Sequence, residues 1–182
     1  MAYKFRRTVL RAFNAHDEKV IKYFDPCSDL LENSYAYEVV ISYMFSKLEQ
    51  AHREALIFGA VKIHGVDTAL ARSVIDKYDL TRKDFREKFK NIYGYRVPAD
   101  AVTKITRAEQ IRDKILHGKN VKIGQQQQCI LDTIDYFAAL NDVMYQNSTI
   151  WLAGDRRGYK GRKSVHNKAT SRWILKGMGL LN

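Results

Sequence analysis

Cysteine, proline and glycine are scarce in this chain. Its 182 residues hold 2 cysteines, 2 prolines and 10 glycines. Cys27 and Cys129 lie far apart and form no metal-ligand spacing. They encode neither a disulfide framework nor a zinc module, and a reduced, cytoplasmic protein is expected. With so few helix breakers, long uninterrupted helices are affordable. Long apolar runs are missing too, and none approaches the ~20 residues that span a bilayer. The stretch Met1-Ala2-Tyr3-Lys4-Phe5-Arg6-Arg7 has no apolar core behind its charges, so no signal peptide is expected. No strand-like alternation or internal repeat shows. Gly154, Gly158 and Gly161 lack the strand context of a phosphate-cradling loop, so no nucleotide or other cofactor is expected.

Acids are the minority charge. Lys and Arg number 31 against 20 Asp and Glu, a net charge of +11. The excess is uneven: residues 151–182 carry eight Lys/Arg and one acid. Such a surplus points to a polyanionic partner, nucleic acid before membrane.

What is abundant is helical periodicity. Tyr37, Ile41, Met44, Leu48, Ala51 and Ala55 keep one seam of a long helix over about 35–57, with Asn33 or Ser34 as its cap. A second helix follows Asp67 or Thr68, with Leu70, Val74 and Tyr78 on one side. A third opens at Thr81, where Thr81-Arg82-Lys83-Asp84 resembles a capping box, and closes at Gly94. Asp100 caps a fourth, whose buried side is Val102, Ile105, Ala108, Ile111 and Ile115. Gly118 stands where a C′ glycine belongs, so His117 should end that helix. After Gln125 to Gln128 comes a fifth, buried through Ile130, Ile134, Phe137, Leu140 and Met144. The expected fold is all-α: a four- to five-helix antiparallel up-and-down bundle over 1–150 with a basic extension over 151–182. Trp173-Ile174-Leu175 would anchor that extension.

The candidate site is Arg112-Asp113-Lys114-Ile115-Leu116-His117, followed by Gly118 and Lys119. Arg offers a planar fork of donors to a phosphate. His exchanges protons near neutral pH. Spacing alone is weak evidence, because Arg11 and His16 share it. Context separates the two pairs. Arg112 is followed by a polar residue, His117 ends a helix, and Lys114, Lys119 and Lys122 surround it. A long helix carrying Leu48-Glu49 comes before.

Arg-polar-x-x-x-His between two long helices resembles the signature of the HEPN superfamily of helical ribonucleases, over about residues 34–146. The resemblance implies a bundle that dimerises, with an Arg-His pair from each subunit lining a cleft on the two-fold axis. It implies metal-independent RNA endonucleolysis, as in toxins, antiviral-defence effectors and RNA-processing enzymes, and a possible antitoxin partner. One subfamily is controlled by modification of a tyrosine two residues after the His; here Lys119 stands there.

Residues five apart on a straight helix point about 140° apart. Either the helix ends at His117 or two subunits share the work. In the implied reaction His117 is the general base towards the RNA 2′-hydroxyl and Arg112 stabilises the charged transition state. Asp113 orients Arg112 or His117. Glu49 does so from the facing helix, or else pairs with Arg53 at i,i+4. Lys114, Lys119, Lys122 and the tail residues Arg156, Arg157, Lys160, Arg162 and Lys163 are the expected RNA-backbone contacts, with Tyr159 and Trp173 available for stacking. A non-catalytic RNA-binding module and a helical protein-interaction partner are the competing readings. Glu49-x-x-His52 has di-iron spacing but lacks the second such step, and His16, His52, His64 and His166 form no ligand cluster, so no metal is expected.

Overall fold

The computed structural model describes residues 2–154 and 166–181, with side chains from residue 6 onward. Nine helices and no strands occur among the described residues. The fold is all-α. The helices are α1 (Ala2–Phe13), α2 (Glu18–Tyr23), α3 (Cys27–Glu32), α4 (Tyr37–Lys62), α5 (Thr68–Ile75), α6 (Arg82–Tyr93), α7 (Ala99–Leu116), α8 (Ile123–Ser148) and α9 (Lys168–Gly177). None of them is long and apolar enough to cross a membrane.

Chain contacts divide into two compact units. One comprises 1–49 and 98–143, the other 50–97 and 144–182. Helix α4 passes from the first to the second after Glu49, and α8 after Val143.

In the first unit α1 packs on α3. Arg6 donates to the Tyr35 carbonyl at 2.7 Å, with its guanidinium over the Tyr37 ring. Tyr23 stacks on Phe137 with centroids 4.5 Å apart, and Phe24 meets the same ring edge-on. The buried seam includes Tyr37, Ile41, Met44 and Leu48 of α4, with Ile130, Ile134, Phe137 and Leu140 of α8. Every one of these was expected from the 3–4 spacing. Two caps differ from expectation. Asn33 ends α3, its side chain donating to the Asp29 carbonyl, and Ser34 turns left-handed at φ 61°. Neither therefore starts α4. Helix α7 begins directly after the extended Pro98, so Asp100 lies inside its first turn, where a carboxylate still complements the helix dipole.

The four glutamines form the start of α8, and each has its own partner. Gln125 accepts from the Lys122 N–H, Gln126 donates to Glu38, Gln127 to the Tyr37 hydroxyl and Gln128 to Asp132. Gln126 and Gln127 fasten the N-terminal part of α8 to α4, while Gln125 and Gln128 bond within the local chain.

In the second unit Phe85, Phe89 and Ile92 of α6 are buried, as their spacing predicts. Thr81 caps α6 by accepting the Asp84 N–H, and its hydroxyl donates to the Asp84 carboxylate. Gly94 closes the helix at φ 79°. Gly59 lies beneath this helix: a Cβ there would stand 2.3 Å from Ile92 Cγ2. Tyr93 donates to the Ala55 carbonyl at 2.7 Å. Helix α5 buries Ala71 and Ile75, while Leu70, Val74 and Tyr78 are only half-buried. Helix α9 packs on α5, and the Ser171 hydroxyl accepts the Asp67 N–H. Of the expected tail anchor only Leu175 is fully buried; Trp173 is 77% exposed.

Both cysteines are buried thiols, each pushed up to about 12 chiefly by burial. At neutral pH they are therefore protonated and poor nucleophiles.

Candidate active site

The C-terminal end of α7 is built by its own backbone. His117 is the last half-helical residue, its N–H bonded to the Asp113 carbonyl at 3.1 Å. Gly118 follows with φ 65°. Its N–H reaches the Ile115 carbonyl and the Lys119 N–H reaches the Lys114 carbonyl, at 3.0 and 2.9 Å. That double closure is the Schellman arrangement, which needs a left-handed residue at the glycine position. It stops the helix where Gly118 predicts and leaves the His117 side chain exposed.

Arg112 lies just over one turn earlier. Its guanidinium carbon lies over the Phe45 ring, 5.6 Å from the centroid. One terminal nitrogen is 3.3 Å from Glu49 Oε1 and the other 3.4 Å from Asp113 Oδ1. These are long contacts on a side chain 26% exposed. A charge-assisted pair drawn tight would sit nearer 2.8 Å. The guanidinium is thus oriented by two carboxylates without being locked into a bidentate pair. The choice left open for Glu49 is resolved: it faces Arg112. Arg53 instead donates to the carbonyls of Ile75 and Tyr78 at 2.7 and 3.0 Å. Asp113 approaches Arg112. No hydrogen bond joins Arg112 to His117 among the described residues.

Lys114, Lys119 and Lys122 are all exposed around this helix end and the loop to α8. Two large apolar side chains accompany them, Leu116 at 57% and Ile123 at 56% exposure. Arg156, Arg157, Lys160, Arg162, Lys163 and Tyr159 lie outside the described residues.

A second charged group, not anticipated above, holds α7 against α8. Arg107 grips Asp132 with two bonds of 2.6 Å, and Gln128 donates to the same carboxylate at 2.9 Å. Lys104 and His16 meet opposite oxygens of Asp135 at 2.7 and 3.1 Å. The His16 bond and then the Lys104 bond hold Asp135 below the usual carboxylate range, against partial burial. Asp132 is fully buried and both its oxygens are taken, so this cluster is structural. Residues 104 and 107 meet 135 and 132 in reversed order, which shows that the two helices run antiparallel here. The signal was in the sequence: two cations three apart on one helix match two acids three apart on the next. His16, the other member of the repeated Arg-x₄-His spacing, is spent in this cluster.

His52 is buried and stacked on Phe85 at 3.9 Å. Burial, helped by the Arg82 charge, lowers it to about 3. It is a neutral core residue. Among the described residues no three His, Cys, Asp or Glu side chains gather as a metal site.

The end of α7 therefore presents an exposed imidazole, a loosely held guanidinium and three exposed lysines. A base or acid, an oxyanion stabiliser and phosphate contacts are the parts that phosphodiester chemistry requires. No protein-family model, curated protein or solved structure matches the chain.

Proposed function

We propose that this protein is a metal-independent RNA endonuclease of HEPN type, acting as a toxin or antiviral-defence effector from a homodimeric site. The observation that carries the reading is the construction of the α7 terminus. A Schellman closure exposes His117, while Glu49, Asp113 and the Phe45 ring orient Arg112 just over one turn away. The Arg-polar-x-x-x-His resemblance supplies the reaction class.

In this reading His117 accepts the proton of the RNA 2′-hydroxyl as that oxygen attacks the adjacent phosphorus. Arg112 turns towards the phosphate and stabilises the added negative charge. The bond to the 5′-oxygen breaks, an imidazolium of the second copy protonates that oxygen, and the product is a 2′,3′-cyclic phosphate with a free 5′-hydroxyl. Asp113 and Glu49 are positioning residues. Lys114, Lys119 and Lys122 bind flanking phosphates. Leu116 and Ile123 give apolar surface beside His117 that a second copy would cover. An antitoxin that covers the same helix end would silence it.

One observation favours a second reading, an RNA-binding module without turnover: Arg112 already has two carboxylate neighbours. Incubating labelled mixed RNA with the protein in EDTA, beside Arg112→Ala and His117→Ala, decides between them. Cleavage to cyclic-phosphate ends that each variant reduces on the order of 10²-fold or more supports the enzyme. Salt-sensitive binding without cleavage in all three proteins leaves the binding module.

A further inference from the structure

The second unit carries an open groove of about 740 Å³ between α5 and the C-terminal part of α9. That volume is in the range of ligand-binding clefts. Its floor is aliphatic, with Leu70 and Val74 from α5 and Leu180 beyond α9. Its charged lining is cationic throughout: Lys77, Arg172 and Lys176, with no carboxylate among the lining residues. All three are exposed, and none is ion-paired among the described residues.

Two aromatic rings complete it. Tyr78 is half-buried, with Lys88 Nζ 4.7 Å from its ring centroid. Trp173 is 77% exposed. A lone exposed Trp is unremarkable on a protein surface. Here it borders an apolar floor and is flanked on its own helix by Arg172, with Lys176 nearby. The walls are built to hold their shape. Arg53 ties down the turn that carries Lys77 and Tyr78 through the carbonyls of Ile75 and Tyr78. Ser171 fastens α9 to the start of α5. Leu180 is returned to Leu175 by a second Schellman closure at Gly179, φ 74°.

We propose that this groove binds single-stranded RNA, with a base stacked on Trp173 and the backbone phosphates on Lys77, Arg172 and Lys176. The complementarity is to an anion with flat apolar faces. Stacking on an aromatic ring is tolerant of sequence, and an aliphatic floor offers no donor or acceptor to read a base edge. The groove therefore takes single strands with little base preference, and duplex poorly, because paired bases cannot reach the ring. The inference shares its substrate class with the proposed nuclease but needs no turnover, so the two can fail separately.

Trp151 and Trp173 are the two tryptophans. A Trp151→Phe, His117→Ala protein keeps an aromatic ring beside Tyr145, does not turn over in the proposed reading, and reports from Trp173 alone. It would be titrated with a 12-residue oligouridylate, the corresponding duplex RNA and an oligoglutamate. Strong quenching of Trp173 by the single strand is expected. So is a roughly tenfold weaker Kd after adding Trp173→Ala, followed by the label on the RNA. The combined Lys77→Gln, Arg172→Gln, Lys176→Gln variant should lower the slope of log K against log salt by about 2. Circular dichroism should stay unchanged throughout, since His117, Trp173, Lys77, Arg172 and Lys176 are exposed and the half-buried Trp151 is replaced by another aromatic ring. RNA binding without any change in Trp173 emission, or quenching by oligoglutamate and not by RNA, would overturn the proposal; the latter would make the groove a dock for an acidic protein segment.

Discussion

His52 shows how one buried side chain can set acid sensitivity. In an unfolded chain a histidine titrates near 6.5, whereas burial and then Arg82 lower His52 to about 3. The unfolded state therefore takes up a proton that the folded state refuses. Stability is complete above about pH 6.5 and falls as pH drops towards 3, by about 1.4 kcal/mol per pH unit within that window. Urea unfolding at pH 7, 6, 5 and 4 should show this loss, and His52→Leu should flatten it whatever it does to stability at pH 7. An equally steep acid loss in His52→Leu would assign the sensitivity to other groups. That His52 is core was not readable from its Glu-x-x-His spacing. Its burial depends on Phe85, 33 positions away, and no local pattern encodes such a stack.

At the scale of the element, the end of α7 was largely legible, because a Schellman closure is a local event. Gly118 supplies the left-handed residue, and nothing lies within 4 Å of a Cβ built there, so conformation alone makes the position demanding. Gly118→Ala should cost roughly 1 kcal/mol of stability and fray the turn that presents His117. Gly118→Asn, which tolerates left-handed geometry better, should recover most of both stability and cleavage. Equal RNA cleavage by all three proteins would show that the closure does not position the reactive imidazole. The α5 stripe was legible only in part. Leu70, Val74 and Tyr78 share a face, as their spacing requires, but the fully buried residues of α5 are Ala71 and Ile75 on the neighbouring face, and the first face lines the open groove. Periodicity finds an apolar face without saying which neighbour covers it. The salt-bridged pairing of α7 with α8 was legible in principle, in matched i,i+3 charges on successive helices.

For the molecule as a whole, the expected homodimer makes a separate prediction. Residues five apart diverge on a helix, so a site shared by two copies can draw Arg112 from one and His117 from the other. Co-expressing Arg112→Ala with His117→Ala should then restore part of the cleavage that each lacks alone. A mixture as inactive as its parts, despite demonstrated co-assembly, would show that each copy needs its own pair. The +11 charge acts at this scale as well. A charge of that size favours encounter with polyanions in general, while the groove and the α7 terminus are two local places where exposed cations gather.

Sequence alone determined the all-α class, the positions of the main helices, the buried stripes of α4, α6 and α8, and the stop at Gly118. All follow from interactions spanning a few residues: the 3.6-residue period, a capping hydroxyl, a glycine free of Cβ. Only the tertiary structure decided that Glu49 faces Arg112 while Arg53 secures the end of α5, and that His16 is spent on Asp135. It also decided that Trp173 stands exposed over a cationic groove. These outcomes depend on which side chains meet across tens of residues. Chain spacing does not encode that choice, because many partners of suitable charge compete and packing selects among them.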